Sequence, residues 1–202
     1  MRCSDWGSLV VLLAALAGLP GAHAANDPAN DPTPAEAFAG RVLQSGDHGR
    51  LPFAVVDKTS AMIRVYRADG RLAGSSPVLL GEALGDQSVP GVGERAQSGH
   101  LRSSDRTTAA GRFVSEPGRN RAGEAIVWID YDNALAIHRL RPGPDRQQRV
   151  QRLASTKVGD KRISAGCVVV PESFFDAVVE PVLGRSRGVV YVMPEDGPSQ
   201  AL

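Results

Sequence analysis

Short apolar runs with a period of two, separated by turns rich in glycine and proline, occupy most of this chain and set its fold class. Phe53 to Asp57 and Met62 to Tyr66 alternate as strands do, and Ala68-Asp69-Gly70-Arg71 carries the Asp-Gly signature of a tight hairpin into Leu72 to Leu80. Ala125 to Asp130 and Ala134 to Arg139 flank a Tyr-Asp-Asn turn and predict a second hairpin. Gly111 to Ser115, Ile163 to Val170 with an interruption at Gly166, and Gly188 to Met193 are further strand candidates. Gly 22 and Pro 14 among 202 residues favour many turns between short strands over a helical bundle, so the expected fold is mainly β.

Two short helices interrupt this pattern. Thr33, Pro34 and Glu36 read as an N-cap, an N1 proline and a capping-box partner for a helix running to about Gln44 and stopping near Gly46. Pro171 suits the start of a second helix, on which Phe174, Phe175, Val178, Val179 and Val182 form one apolar face, ending around Pro181 to Gly184. Gly81 to Ala110, rich in Gly, Ser, Thr and charge, reads as loop with some edge structure.

The first 24 residues read as a targeting segment. Arg2, the apolar run Leu9 to Leu19 and the small-residue site Ala22-His23-Ala24 make a signal peptide, with cleavage expected after Ala24 and export to the periplasm. The run is short for a membrane span of about 20 apolar residues, so no stable membrane insertion is expected after processing. Residues 25–50 then form a polar tether and the short helix, 51–193 the domain proper, and 194–202 a flexible tail.

Charge narrows the partner classes. With 23 Lys+Arg against 22 Asp+Glu the formal net charge is +1, which gathers no polyanion, and the 5% aromatic content offers little base-stacking surface. No nucleic-acid partner is expected.

Cysteine usage points to chemistry. Of the 2 cysteines, Cys3 would leave with the signal peptide, so Cys167 would be a lone thiol in an oxidising compartment. Such a residue is either an inert small core group or a reactive one, and Gly166 before it lets the backbone turn its N–H groups toward a ligand. A thiol of ordinary pKa is only about 3% thiolate at pH 7, so a nucleophilic Cys167 needs a base or a positive neighbour. Three histidines remain. His48 and His100 lie in loop-like sequence and read as solvated, whereas His138 ends Ala134-Leu135-Ala136-Ile137-His138, where Leu135 and Ile137 face one way and Ala134, Ala136 and His138 the other. The small neighbours leave space for a substrate beside the imidazole. One cysteine and scattered histidines make no zinc pattern, and phosphate-loop, dinucleotide and Gly-x-Ser-x-Gly motifs are missing, so no metal or cofactor is expected.

Together, Ile-His138, the later Ser164-x-Gly166-Cys167, and Thr107-Thr108-Ala109-Ala110-Gly111-Arg112-Phe113 resemble the L,D-transpeptidase catalytic domain, also called the YkuD domain. The resemblance spans roughly Leu51 to Met193, and the run Ile-Ser-x-Gly-Cys-x-x-Val-Pro before a Phe-rich helix is especially similar to a proteobacterial branch. It implies a β-sandwich or barrel with a short helix after the cysteine strand, and acyl transfer on peptidoglycan stem peptides through a cysteine thioester. By the same resemblance Cys167 matches the nucleophile, His138 the general base, the N–H groups of Gly166 and Cys167 the oxyanion region, and Ser164 a loop-orienting hydroxyl. Acylation by carbapenem-type inhibitors would follow from the same electrophile chemistry.

This chain departs from the family pattern in four places. Ala165 and Val169 stand where larger or polar residues are usual, Arg139 replaces a small residue, and the segment between His138 and Cys167 is long. A catalytically degenerate peptidoglycan-binding scaffold, or a hydrolase of the L,D-carboxypeptidase or amidase kind, therefore stands beside the transferase reading. The long segment carries Arg139, Arg141, Arg146, Arg149 and Arg152 with only Asp145 as local counter-charge, which reads as a solvated face or as a grip for stem-peptide carboxylates. Arg139, Arg141 and Arg162 are the weak substrate-binding candidates.

Overall fold

Strand β1, Phe53–Asp57, shows how the chain layers itself: Ala54 and Val56 turn into one core and Phe53 and Val55 into another, so all five residues are buried. The computed structural model describes residues 31–195. Around β1 the remaining strands are β2 (Met62–Tyr66), β3 (Leu72–Pro77), β4 (Leu80–Gly81), β5 (Gly111–Arg119), β6 (Ala125–Asp130), β7 (Leu135–Arg139), β8 (Arg162–Ser164), β9 (Val168–Val170) and β10 (Gly188–Val192). Eight of them form one sheet in the order β3-β2-β1-β10-β5-β6-β7-β9, antiparallel except for the β1–β10 and β7–β9 pairs. Its two ends nearly meet. Leu79, just past β3, exchanges backbone hydrogen bonds of 2.8 and 2.9 Å with Val169 of β9, so the sheet curls into an almost closed barrel. Strands β4 and β8 pair in parallel beside this seam.

The barrel interior is filled by alternate residues, including Ile63, Val65, Val127, Ile129, Leu135, Ile137, Val168 and Val190. One end is plugged by the helical segment after β9, where an α-turn at Glu172–Phe174 passes through a π-helical stretch, Phe175–Val179, into Glu180–Leu183. Phe175 and Val179 of the expected face enter the core, Phe174, Val178 and Val182 pack against it partly buried, and Leu183, outside that face, is buried as well.

Helix α1, Pro34–Ser45, has the expected cap: Thr33 and Glu36 form a reciprocal capping box and Gly46 closes it in the left-handed region. It is not part of a tether. Ala35, Phe38, Ala39 and Val42 pack against Phe53, Tyr66 and Tyr191, Tyr191 donates its hydroxyl hydrogen bond to Asp47, and Arg112 pairs with the same carboxylate at 2.6 Å. The packed unit therefore begins at Pro32 instead of Leu51. Few apolar residues suffice because the helix covers only the outer faces of β1 and β10 and the Tyr66 end of β2.

Other expectations need correction. The stretch taken as loop, Gly81 to Ala110, contains helix α2, Val92–Ser98, whose two buried residues leave too faint a periodicity to read. Strand β5 continues past Ser115 to Arg119. Ile163 to Val170 is two strands with different partners, β8 on β4 and β9 on β7. His48 is buried, its Nδ1 2.9 Å from the Leu51 carbonyl, where solvation was expected. Glu195, assigned to the flexible tail, pairs with Lys58 at 3.2 Å and Arg162 at 2.6 Å. The signal peptide, most of the polar tether and the rest of the tail lie outside the described residues. Among the described residues no helix is long and apolar enough to cross a membrane.

Candidate active site

The β7–β9 pairing assembles the site. Its parallel register sets Ile137 against Val168 and His138 against Val169, so one step back along both strands Ala136 lies beside Cys167. Leu135 and Ile137 enter the barrel core, which sends Ala134, Ala136 and His138 to the outer face. There, with Cys167, they line a cleft of about 550 Å³.

His138 has a defined tautomer. Its Nδ1 lies 2.8 Å from the Arg139 carbonyl, which can only accept, so the neutral ring carries its proton on Nδ1 and presents the Nε2 lone pair. Burial pulls its pKa down from 6.5 to about 4, the Arg139 carbonyl partly opposing this by favouring the charged ring, and the Arg141 charge adds to the lowering.

Cys167 Sγ–H points 3.4 Å from the Ala134 carbonyl. Burial pushes its pKa above the ordinary thiol value, with the Ala136 backbone N–H at the sulfur and the Arg141 charge acting the other way. A thiol raised and an imidazole lowered are both neutral at pH 7. Both shifts favour a neutral thiol beside a neutral imidazole over a preformed thiolate–imidazolium, which leaves proton transfer to the moment of attack.

The cysteine loop is held by its own hydroxyl. Ser164 Oγ donates to the Cys167 carbonyl at 2.6 Å and accepts the Gly166 N–H at 3.1 Å. This engages one of the two expected oxyanion donors, so the Gly166 N–H is corrected to a loop-holding role and the Cys167 N–H is the candidate donor. Gly166 itself has φ +119, and a Cβ there would lie 3.0 Å from the Thr107 carbonyl oxygen. Only glycine suits both constraints.

Of the arginine candidates, Arg141 alone lines the cleft, paired with Glu124 at 3.3 Å. Arg139 instead pairs with Asp176 and Glu180 at 3.0 and 3.3 Å and lies over the Phe175 ring at 4.8 Å, tying β7 to the closing helix. Arg162 grips Glu195 at 2.9 and 2.6 Å and the Lys58 carbonyl at 3.2 Å. Both are engaged in internal ion pairs and are corrected from substrate-binding to structural positions. Helix α3, Arg146–Ala154, occupies the long segment, and Arg146 and Arg149 pair with Glu172 and Asp145.

The sequence reading missed the opposite wall. Trp128 on β6 projects into the cleft and meets Tyr131 edge to face at 4.9 Å, while Arg119 comes from the end of β5 and Arg121 from the β5–β6 turn. A Cβ on Gly118 would sit 2.5 Å from the Trp128 indole, so glycine on β5 lets that ring lie against the sheet. The period-two pattern, with Val127 and Ile129 in the core, marks Trp128 as facing outward with Ile126, on the same face as Ala136 and His138 of the next strand. Val169 is also explained: it packs with Leu79, Leu140 and Leu153, so its apolar character seats α3 and removes nothing from the cleft. Among the described residues no group of His, Cys, Asp and Glu could hold a metal ion.

No protein-family model matches the chain, and no curated protein matches it in sequence. Solved structures do. The helical cell shape determining protein Pgp2 from Campylobacter jejuni is 16% identical, with 72% of this chain and 48% of that one covered at a TM-score of 0.47. The Enterococcus faecium L,D-transpeptidase is 18% identical over 70% of this chain and 49% of that one, TM-score 0.36. The L,D-transpeptidase LdtMt1 in complex with imipenem is 16% identical over 70% and 58%, TM-score 0.40. The chain spans about half the length of these three solved chains. These solved chains are what the mainly β, nearly closed barrel is similar to.

Proposed function

We propose that this protein is an exported, periplasmic cysteine acyltransferase of the L,D-transpeptidase type, acting on peptidoglycan stem peptides. The observation that carries the reading is that His138 and Cys167 line one cleft with the His138 proton fixed on Nδ1, leaving Nε2 as a base. In the first half-reaction His138 Nε2 takes the thiol proton as Cys167 Sγ attacks the amide carbonyl carbon following an L-centre. The carbonyl electrons move to oxygen, where the Cys167 N–H opposes the charge, a contribution of about 3 to 4 kcal/mol for one donor in other enzymes. Collapse breaks the C–N bond, the imidazolium returns its proton to the leaving D-alanine amine, and a thioester remains. An acceptor amine, losing a proton to His138, then attacks the thioester carbonyl, the C–S bond breaks, and the Cys167 thiolate takes that proton back from the imidazolium. Water in place of the amine gives the hydrolase variant.

Trp128 and Tyr131 offer an apolar wall and Arg119, Arg121 and Arg141 a cationic rim, which suits a peptide bearing carboxylates. Purified muropeptides should give cross-linked or exchanged products by mass. A carbapenem should give one covalent adduct, absent in Cys167→Ala. Folded wild type that alkylates with iodoacetamide but leaves both substrates unchanged would make the protein a scaffold.

A further inference from the structure

The peptide unit between Gly166 and Cys167 is gripped from the far side of the barrel seam. Thr108, fully buried, donates its hydroxyl to the Gly166 carbonyl at 2.6 Å and accepts the Gly81 N–H at 2.8 Å, so both hydroxyl functions are used. Thr108 is in turn fixed through its own carbonyl, which accepts from Lys58 Nζ at 3.1 Å. The Lys58 side chain is 0% exposed and also reaches Asp86 at 2.5 Å and Glu195 at 3.2 Å, so a buried ion cluster anchors the threonine.

The consequence lies in peptide geometry. A trans peptide is planar, and its C=O and N–H point in opposite directions. The carbonyl that Thr108 holds belongs to the same plane as the Cys167 N–H, so the bond sets the direction in which that N–H points. Ser164 cannot supply this alone, because its contacts are to the Gly166 N–H and the Cys167 carbonyl, the atoms flanking that plane. Gly166 has no Cβ to restrict rotation about its Cα–C bond, the torsion that turns this plane, so holding the oxygen is what fixes it.

We infer that Thr108 is a positioning residue for acyl transfer: by holding the Gly166 carbonyl it aims the Cys167 N–H at the developing oxyanion. It touches no reacting atom. The inference rests on the acyl-transfer reading above and adds a residue to it.

The test uses the full-length processed protein with Thr108→Val, which keeps shape and loses the hydroxyl, and Thr108→Ser, which restores it. Three readouts are needed: the Cys167 amide 15N resonance, which responds to hydrogen bonding at the carbonyl of its own peptide unit, carbapenem acylation, and iodoacetamide alkylation. Alkylation forms no oxyanion. In Thr108→Val the resonance should move and acylation should slow by about 10² to 10³, the cost of losing one oxyanion donor, while alkylation stays within about threefold. Thr108→Ser should return the resonance and recover acylation to within about tenfold.

An unmoved resonance in folded Thr108→Val, or acylation and alkylation falling together, overturns the positioning role. If Thr108→Val does not fold, the serine variant decides: the role stands if resonance and acylation are retained and falls if acylation is lost. A resonance that moves in Thr108→Val while wild type resists acylation would uphold the positioning geometry and refute acyl transfer instead.

Discussion

The two walls of the cleft are built by different means. His138 and Trp128 stand on strands of one continuous sheet, where register and pleat fix which side chains face outward. Cys167 stands on the short turn between β8 and β9, whose shape depends on hydrogen bonds from Ser164 and from Thr108, the latter 58 residues away in sequence. The shape of a strand wall tolerates change in any one side chain because the ladder remains. The loop wall concentrates its geometry in a few polar contacts, so damage there should act on chemistry before it acts on binding.

The largest effect expected is on the base. His138→Ala removes the only group on the strand wall that moves a proton, and carbapenem acylation should slow by about 10² to 10⁴. Iodoacetamide alkylation at neutral pH should change little, because the thiol in the resting site is neutral and bonded to Ala134 instead of paired with an imidazolium. The wild-type alkylation rate should climb with pH through the alkaline range. A plateau already reached below pH 7 would show a preformed ion pair and overturn the neutral-pair description.

Acid stability probes the same histidine. Folded, His138 takes its proton at about 4, against 6.5 ordinarily, so between these values the unfolded chain holds the extra proton and stability falls as pH falls. At 1.36 kcal/mol per unit, wild type should lose up to about 3 kcal/mol more than His138→Gln between pH 7 and pH 4. Urea unfolding at the two pH values measures this. Equal losses in both proteins would mean that the ring is solvated in the folded state.

The loop wall is tested by Gly166→Ala. Its φ of +119 and the Thr107 oxygen at 3.0 Å from a new Cβ should cost about 1 to 3 kcal/mol, read as a lower melting temperature with acylation falling alongside. Gly118→Ala is the strand-wall counterpart. There the obstructing atoms belong to the Trp128 side chain, which can swing away, so a shift in Trp fluorescence with nearly intact acylation is expected. Comparable acylation losses in the two variants would erase the distinction between the walls.

What could be read from sequence follows the same division. Leu135 and Ile137 against Ala136 and His138 were legible because a strand writes its two faces into alternate positions. Thr33, Glu36 and Gly46 were legible because caps are local. The burial of α1 was not, since it depends on which strands lie under the helix. Neither was the fate of the arginines: Arg139, Arg141 and Arg162 look alike in sequence and each meets an acid on another element, and only the fold decides that Arg141 alone of the three lines the cleft. Thr108 was visible within a family-like phrase, yet its bond to Gly166 depends on barrel closure.

The smallest effect is expected at the rim. Arg141 is 41% exposed and its Glu124 partner 32%, so Arg141→Gln should change stability by less than about 1 kcal/mol. The same arginine lies in the cleft with His138 and Cys167, where a charge can meet a substrate carboxylate without being consumed by a buried pair. For a muropeptide carrying free carboxylates the loss should therefore appear in KM, by several-fold, with kcat little altered. Amidating those carboxylates should produce a similar rise in KM in wild type and no further rise in Arg141→Gln. A variant that raises KM equally for the free and amidated peptides would show that Arg141 shapes the cleft without recognising the carboxylate, leaving Arg119 and Arg121 on the strand wall to do so.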